Sequence, residues 1–445
     1  MARIHLSEHF TYKKLLRFVL PSVLMMIFTS IYSVVDGLFV SNFVGTTAFA
    51  AVNLIYPLVM MLSSVGFMLG TGGTAIIGKT LGEGQREEAN RYFTMLIAAV
   101  VLFGAVLAAL GILFLRPVSI LLGAEGALLD DCIRYGRVIL AALPFFALQV
   151  AVQELFVVAE KASLGLGVTV LSGVVNMVLD ALFVAGFHWG LLGAAFATAI
   201  SQVVGAVVPV LYFARPNDSL LRFTKALHFY PKVLGKACAN GSSEMVSNLA
   251  SSLVSLLYNY QLLRLLGENG VAAYGVIMYV GFIFAAVNLG YAMGASPIIS
   301  FQYGAENHSE LKNLYRKSLL LLSAGGLGMF LIAKLVARPL SLIFVSYDPV
   351  LLELTVHAFH IIAFAFLLNG LNTFASAFFT ALNNGAVSAV LSFLRTFVFQ
   401  IVGILGLPLL FGVDGLWAAM AVTECASFFV SLYCFLSRRR RYQYG

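Results

Sequence analysis

The second half of this 445-residue chain repeats the first at a constant offset of 222 residues, and each half is a succession of long apolar segments. Gly45, Ala50 and Ala51 fall on Gly267, Ala272 and Ala273; Gly72, Gly82 and Glu88 fall on Gly294, Gly304 and Glu310. Arg116-Pro117 with Ser119 meets Arg338-Pro339 with Ser341, and Gly190 and Gly193 meet Gly412 and Gly415. Glycines, prolines and loop charges fix backbone turns, so their register outweighs any matching of Leu with Leu. Two bundles of one design set side by side are the frame of many secondary transporters.

The apolar segments belong in a membrane. Sixty per cent of residues are hydrophobic and 11% charged, too few charges to solvate the surface of a soluble domain. Met95–Leu115 carries no charge before its final flank at Arg116, the length a helix needs to cross about 30 Å of hydrocarbon. Helix is required because unpaired backbone is costly in lipid, and the alternation of a barrel strand is absent. The expected fold is therefore an all-α polytopic membrane protein, with twelve transmembrane helices in two pseudo-symmetric six-helix bundles.

Apolar length and punctuation place the spans at 15–42, 48–78, 90–115, 130–158, 163–186, 190–213, 232–265, 271–300, 312–336, 351–382, 386–410 and 413–436. Six spans per half is even, so both halves insert in one orientation, about an axis along the membrane normal. The organisation expected is a bundle over 1–213, a cytoplasmic linker over 214–231 and a second bundle with a basic tail over 232–445. Segments on the N-terminal side of the membrane hold twenty Lys and Arg against six on the other, so both termini are expected to be cytoplasmic. The first span is read as uncleaved, since it is too long for a signal peptide and has no clear cleavage site.

The net charge of +7 is mostly this topology signal. Arg438 to Arg441 suit anionic lipid headgroups, and no base-reading pattern suggests nucleic acid. Cys132, Cys238, Cys425 and Cys434 are scattered without a metal or disulfide spacing. No P-loop, HExxH or GxSxG motif appears, so neither an ATPase nor a membrane hydrolase is indicated and no enzyme or cofactor is expected. The paired segments Gly82–Arg91 and Gly304–Asn313 read as topology anchors and helix starts.

Ionisable residues inside spans are costly unless paired or functional. They are Asp36, Glu154, Asp180, Glu244, Arg395 and Glu424. Asp36 and Asp180 lie at similar depth near the outer ends of spans one and five, and Asn176 shares a helical face with Asp180. Thr198 in span six and Asn53 and Tyr56 in span two fall at nearby depths. Two carboxylates with amide and hydroxyl oxygens suit a small hard cation, sodium at Asp36 and Asp180, or a shared proton. Pro21 removes a backbone hydrogen bond in the helix that carries Asp36. Glu244, in Gly241-Ser242-Ser243-Glu244, has small polar neighbours that suit a water-filled cavity and a cationic substrate. Arg395 and Glu424 lie at similar depth on adjacent spans and read as a buried pair. Glu154 is read as lying close to the headgroups. Met25, Met26, Met60, Met61 and Met68, with abundant Phe, provide soft and aromatic surface for flat organic cations.

In these features the chain resembles the multidrug and toxic compound extrusion (MATE) family, in its MepA-like bacterial branch. The resemblance rests on Pro21 with the Val34–Val40 run, Gly45 to Val52, Gly82 to Arg91, and Asn176-x-x-x-Asp180, and it covers the whole chain. It implies a cation-coupled antiporter with a V-shaped pair of lobes, exporting organic cationic drugs by alternating access across the cytoplasmic membrane. It assigns the coupling ion, proton or sodium, to Asp36, Asn176, Asp180 and Thr198, and substrate to Glu244, with Tyr56, Asn53 and Met60 as further cavity residues. Partners expected are small organic cations and membrane lipids, with the protein a monomer. The departure is span ten, where some relatives carry an acid and this chain has Asn369 and Asn372. A flippase for lipid-linked precursors is the alternative; it should line its cavity with several bases, and Arg395 is the only one deep in a span. An embedded enzyme or a passive channel is a further rival.

Overall fold

The structure is a computed structural model describing residues 4–44, 46–346 and 348–445, with side chains described throughout these except at 33–42, 46, 49, 268 and 279. The side chains of Asp36 and of the whole Val34–Val40 run, and all of Gly45, therefore lie outside the described residues. The helices of the first half are α1 (Tyr12–Phe43), α2 (Thr46–Gly82), α3 (Arg86–Leu121), α4 (Gly126–Ala141), α5 (Leu143–Val158), α6 (Ala162–Asp180) and α7 (Gly190–Ala214). The second half holds α8 (Pro231–Leu266), α9 (Glu268–Gly304), α10 (His308–Val345), α11 (Pro349–Ile362), α12 (Phe366–Ala381), α13 (Gly385–Phe393) and α14 (Phe399–Tyr442).

Fourteen helices and twelve spans are reconciled by three breaks. The fourth span is α4 and α5 together, bent by 50° just before Pro144. The tenth is α11 and α12, joined by a 3₁₀ turn at Ala363–Ala365. The eleventh starts in α13 and runs into α14, where Gly412, at φ 58° and ψ −136°, turns the chain into the twelfth. Among the described residues nine helical stretches are individually long and apolar enough to cross a membrane, or ten counting the bent pair. The shortfall has two physical causes. The stretch Gly385–Tyr442 holds two spans, and α8 is diluted by Ser, Asn and Gly on the face it packs against α2. Twelve membrane helices in two bundles is the architecture.

The repeat is written into the backbone. Helices α2 and α9 begin and end 222 residues apart, as do the starts of α3 and α10. Left-handed residues recur at the same offset, Gly84 with Glu306 and Gly190 with Gly412. Under this symmetry the packing of α1 on α9 is the same contact as that of α8 on α2, and these pairs join the halves.

What lets them join is glycine. A Cβ on Gly82 would overlap the Phe301 carbonyl oxygen, and one on its counterpart Gly304 would overlap the Lys79 carbonyl oxygen. Deeper in, Gly241 of α8 rests on the Met68 carbonyl and Gly72 on that of Ala237. Lipid tails are as apolar as Leu, so helices in a membrane associate through close contact, and small residues permit it. The contacts cluster toward the end of the bundle that carries the chain termini, the α2–α3 and α9–α10 turns and residues 215–230; this end is called here the terminal face.

Residues 215–230 contain no helix and fold back on the first half. Arg86 donates to the carbonyls of Ser219 and Leu220, Asn90 Oδ1 accepts from Arg222 N at 2.9 Å, and Thr94 Oγ1 accepts from Thr224 N at 3.0 Å. Leu221 is fully buried. The α3 start is therefore more than a topology anchor: it holds the connection in place.

Gly82→Val should force α2 from α9 and destabilise the protein by about 1–3 kcal/mol, read as a lower thermal midpoint in detergent. Gly84→Ala, where a Cβ meets nothing within 4 Å but φ is +79°, should cost about 1–2 kcal/mol through backbone strain alone, with helix packing unchanged.

Candidate functional site

The first cluster lies on α6 and α7. Asp180 is fully buried and ends α6, and the chain passes directly into a π turn over Ala181–Gly186. A π turn widens the helix and frees a carbonyl from the regular ladder, an arrangement frequent at functional sites. One turn earlier, buried Asn176 shares the face of Asp180 and donates through Nδ2 to Thr198 Oγ1 at 3.5 Å. Asn176 Oδ1 has no hydrogen-bond partner among the described residues, although burying an unpaired amide oxygen is unfavourable. Helix α1 packs on this face, with Phe28 and Tyr32 over Gly173. The structure thus joins Asn176 to Thr198, with Asp180 one turn further along the same face of α6; the side chain of Asp36, on α1, lies outside the described residues. Among the described residues no cluster of three or more His, Cys, Asp or Glu could hold a metal. The oxygens of Asp180, Asn176 and Thr198 fit a hard cation or a proton better than a transition metal.

The second cluster lies where the halves meet. Tyr56 of α2 is 54% exposed. Glu154 of α5 and Glu244 of α8 are half-buried and within electrostatic reach of each other. Asn53 is exposed and Met60 half-buried on the same helix as Tyr56. Glu244 stands one turn beyond Gly241, the point where α8 rests on α2. Glu154, read from the sequence as close to the headgroups, is half-buried on α5. Its Cγ packs 3.5 Å from where a Gly70 Cβ would stand, and it is within electrostatic reach of Glu244. The cause is the bend before Pro144, which redirects α5 along α2.

The third cluster, in the second half, is closed. Arg395 donates to Glu424 Oε1 from Nε at 3.1 Å and from Nη2 at 2.9 Å, and from Nη1 to Thr373 at 3.0 Å. Asn369 donates to the same carboxylate at 3.1 Å and Asn372 at 2.7 Å. Asn288 and Ser431 bond the two asparagine oxygens in turn, at 2.9 and 3.1 Å. The amides at the position of the departed acid are thus the clasp around Glu424. Such a network satisfies both charges and leaves neither available to a ligand.

Sequence reasoning named Glu154 but missed its approach to Glu244, which depends on how α5 lies along α2. It also missed Glu160 and Glu310, which grip the N-terminal segment. The available signal was His5-Leu6 and His9-Phe10, two His–apolar pairs four residues apart.

A multi-span helical protein built from two like halves, with a buried acid in the first, has the architecture of a membrane transporter. A scan against family models matches the MatE family over residues 21–182 and again over 245–405. The chain therefore belongs to the MatE family, and it is a MATE transporter of the MepA type. It is 21% identical over 98% of its length to the multidrug export protein MepA of Staphylococcus haemolyticus, covering 96% of that protein. To MepA of Staphylococcus aureus MRSA252 it is 20% identical, over 96% of this chain and 94% of the other. Among solved structures, it superposes on an outward-facing multidrug resistance MATE family transporter of the MOP superfamily with a TM-score of 0.92 at 22% identity, covering 99% and 98% of the two chains. A MATE protein in complex with MaL6 gives a TM-score of 0.91 at 22% identity, covering 98% and 97%.

Removing one partner of the Arg395–Glu424 pair should cost about 3–5 kcal/mol by stranding the other charge. The double change Arg395→Ala with Glu424→Ala should be milder than either single change in thermal unfolding; additive losses would show that the two groups are not coupled.

Proposed function

We propose that this chain is a cation-coupled antiporter that exports organic cationic compounds by alternating access. In this reading residues 1–213 and 232–445 are two bundles joined by a linker over 214–231. The protein lies in the cytoplasmic membrane with its terminal face toward the cytoplasm. The observation that carries the reading is Asp180, a carboxylate fully out of solvent with Asn176 and Thr198 oxygens beside it. An acid buried within a membrane span is costly unless it is paired or serves a function, so it suits a coupling-ion site. Asp36 completes the site from α1, and sodium or a proton occupies it.

The substrate sits in the cleft between the halves, against Glu244 with Tyr56, Asn53 and Met60, where a carboxylate attracts a cation and aromatic and thioether groups receive its flat apolar body. Coupling needs only that ion and substrate favour different states of the halves. The names of the MepA relatives, multidrug export proteins, support the same substrate class. A lipid-linked pyrophosphate suits the cleft poorly, since the deep base Arg395 is committed to Glu424.

The test is uphill efflux of a fluorescent lipophilic cation from proteoliposomes under a proton gradient or a sodium gradient, applied separately. Transport under either supports the antiporter and names its ion; no uphill movement under either overturns it. Asp36→Asn and Asp180→Asn should each abolish export while folded protein is retained, and full resistance in cells carrying either variant would remove that residue from the coupling site. Glu244→Gln should raise the KM for a cationic substrate about tenfold, equivalent to about 1.4 kcal/mol of lost attraction.

A further inference from the structure

We propose that residues 4–11 form a strap that fastens the two halves together on the cytoplasmic face, and that its release is a required step in opening that face. The proposal rests on the alternating-access reading above. The strap makes two grips of one design. In the first, His5 Nδ1 and the Leu6 backbone N–H both reach the Glu160 carboxylate, at 2.9 and 2.7 Å. In the second, His9 Nδ1 and the Phe10 backbone N–H both reach the Glu310 carboxylate, at 2.6 and 2.9 Å. Each imidazole lies over its carboxylate like a lid. The side chains of His5 and His9 are 51% and 67% exposed, those of Glu160 and Glu310 only 3% and 6%. Leu6 and Phe10, whose N–H groups take part in the grips, have fully buried side chains, and Phe10 packs edge-on against Phe18 of α1.

The two grips fall on opposite halves. Glu160 lies in the turn between α5 and α6, in the half that also contains α1 and hence the strap itself. Glu310 lies in the first turn of α10, in the other half, where the Asn307 side chain caps the helix by accepting from Glu310 N at 3.2 Å. In a complete capping box the Glu side chain would turn back to the cap residue; here it is spent on the strap. Three more side chains of the second half seize strap carbonyls. Gln302 donates to Leu6 at 2.7 Å, Asn313 to Phe10 at 3.0 Å and Lys317 to Phe10 at 2.6 Å. Leu6 is thus held by Glu160 through its N–H and by Gln302 through its carbonyl, one bond from each half. Glu8 braces the turn from outside, accepting from His5 N at 3.0 Å and pairing with Lys14 at 2.6 Å.

The strap also has a counterpart. Residues 222–230, which precede α8 as the strap precedes α1, lie on Asn90, Thr94 and Met95 of α3. Met95 stands 222 residues before Lys317, so the two segments occupy equivalent grooves. The connection to the second half through α8 is covalent, whereas the grip of the strap on α10 is a set of hydrogen bonds. It is this set that separation of α10 and α9 from α1 must break. Each bond to an ionised group in a partly dry site contributes more than a neutral one, and a carboxylate stripped of its donors is left buried and unpaired.

The experiment uses the full chain in lipid nanodiscs, with the four native cysteines replaced and spin labels at Glu87→Cys and Arg316→Cys, exposed positions on α3 and α10. Pulsed dipolar spectroscopy reads the separation of the halves without substrate or ion gradient, so its outcome is independent of whether drug export is observed. A third label, at exposed Ser7, reports whether the strap is seated. Glu310→Ala and Gln302→Ala should each mobilise the Ser7 label and raise the ratio of long to short cytoplasmic distances about fivefold or more. Glu310→Gln, which keeps the volume of the site, should do so to a smaller degree and guards against a misfolded alanine variant. A mobile Ser7 label with an unchanged distance distribution would overturn the proposal, because the strap would then be off and the face still shut. An immobile Ser7 label in both alanine variants would overturn it as well, by showing that these grips do not hold the strap.

Discussion

Backbone-to-backbone approach at a few glycines is the contact on which the rest of this molecule depends. Gly82 and Gly304 meet across the pseudo-twofold relation, and Gly72 and Gly241 repeat the motif deeper in. In water, two large apolar surfaces would be driven together whatever their shape; in lipid that drive is missing and fit must supply the attraction. Close fit has a second virtue: an interface without interlocking large side chains parts cleanly. The same glycines that allow the halves to meet on the terminal face thus leave few knobs to be withdrawn when they separate, as a transporter that alternates access requires.

Charge is handled in three ways within one membrane interior. The Arg395–Glu424 cluster is fully answered, every carboxylate oxygen accepting from a defined donor. Glu154 and Glu244 stay half-exposed where the halves meet, within electrostatic reach of each other. Asp180 is fully buried, and it ends a helix that widens at once into a π turn. The gradation from clasped to solvated to secluded matches the roles proposed: support, substrate attraction and ion coupling.

Much of this was legible in the sequence, for reasons that can be stated. Offsets of glycine and proline encode the repeat because those residues fix local backbone, and α2 and α9 begin and end in the register that Gly82 and Gly304 imply. Apolar length encodes the spans, and Gly412, where no long polar loop separates the last two, marked their boundary. Polar α8 shows the limit of a hydropathy criterion: its Ser, Asn and Gly face serves another helix, and only punctuation located the span. Asn176 and Asp180 were legible because four residues place them on one helical face. Glu154, by contrast, depends on the bend before Pro144, and the partners of Glu310 lie 301 and 300 residues away. No local pattern encodes such pairings; the His-Leu and His-Phe pairs announce a repeat without naming what it grips. The amides of Asn369 and Asn372 could be read as a missing acid, but not as the clasp of Glu424.

The placement of residues 215–230 has a mechanical consequence. Because that segment is fastened to α3 by Arg86, Asn90 and Thr94, the slack between the halves shrinks to the joint at Tyr230–Pro231. With the strap seated on α10, the halves are pinned at two points on one face, and two pins define an axle. In the proposed transport cycle, rotation about that axle would widen or narrow the far side while leaving the pinned side shut. Loss of one pin turns the axle into a pivot, and the second half gains the remaining rotational freedoms together.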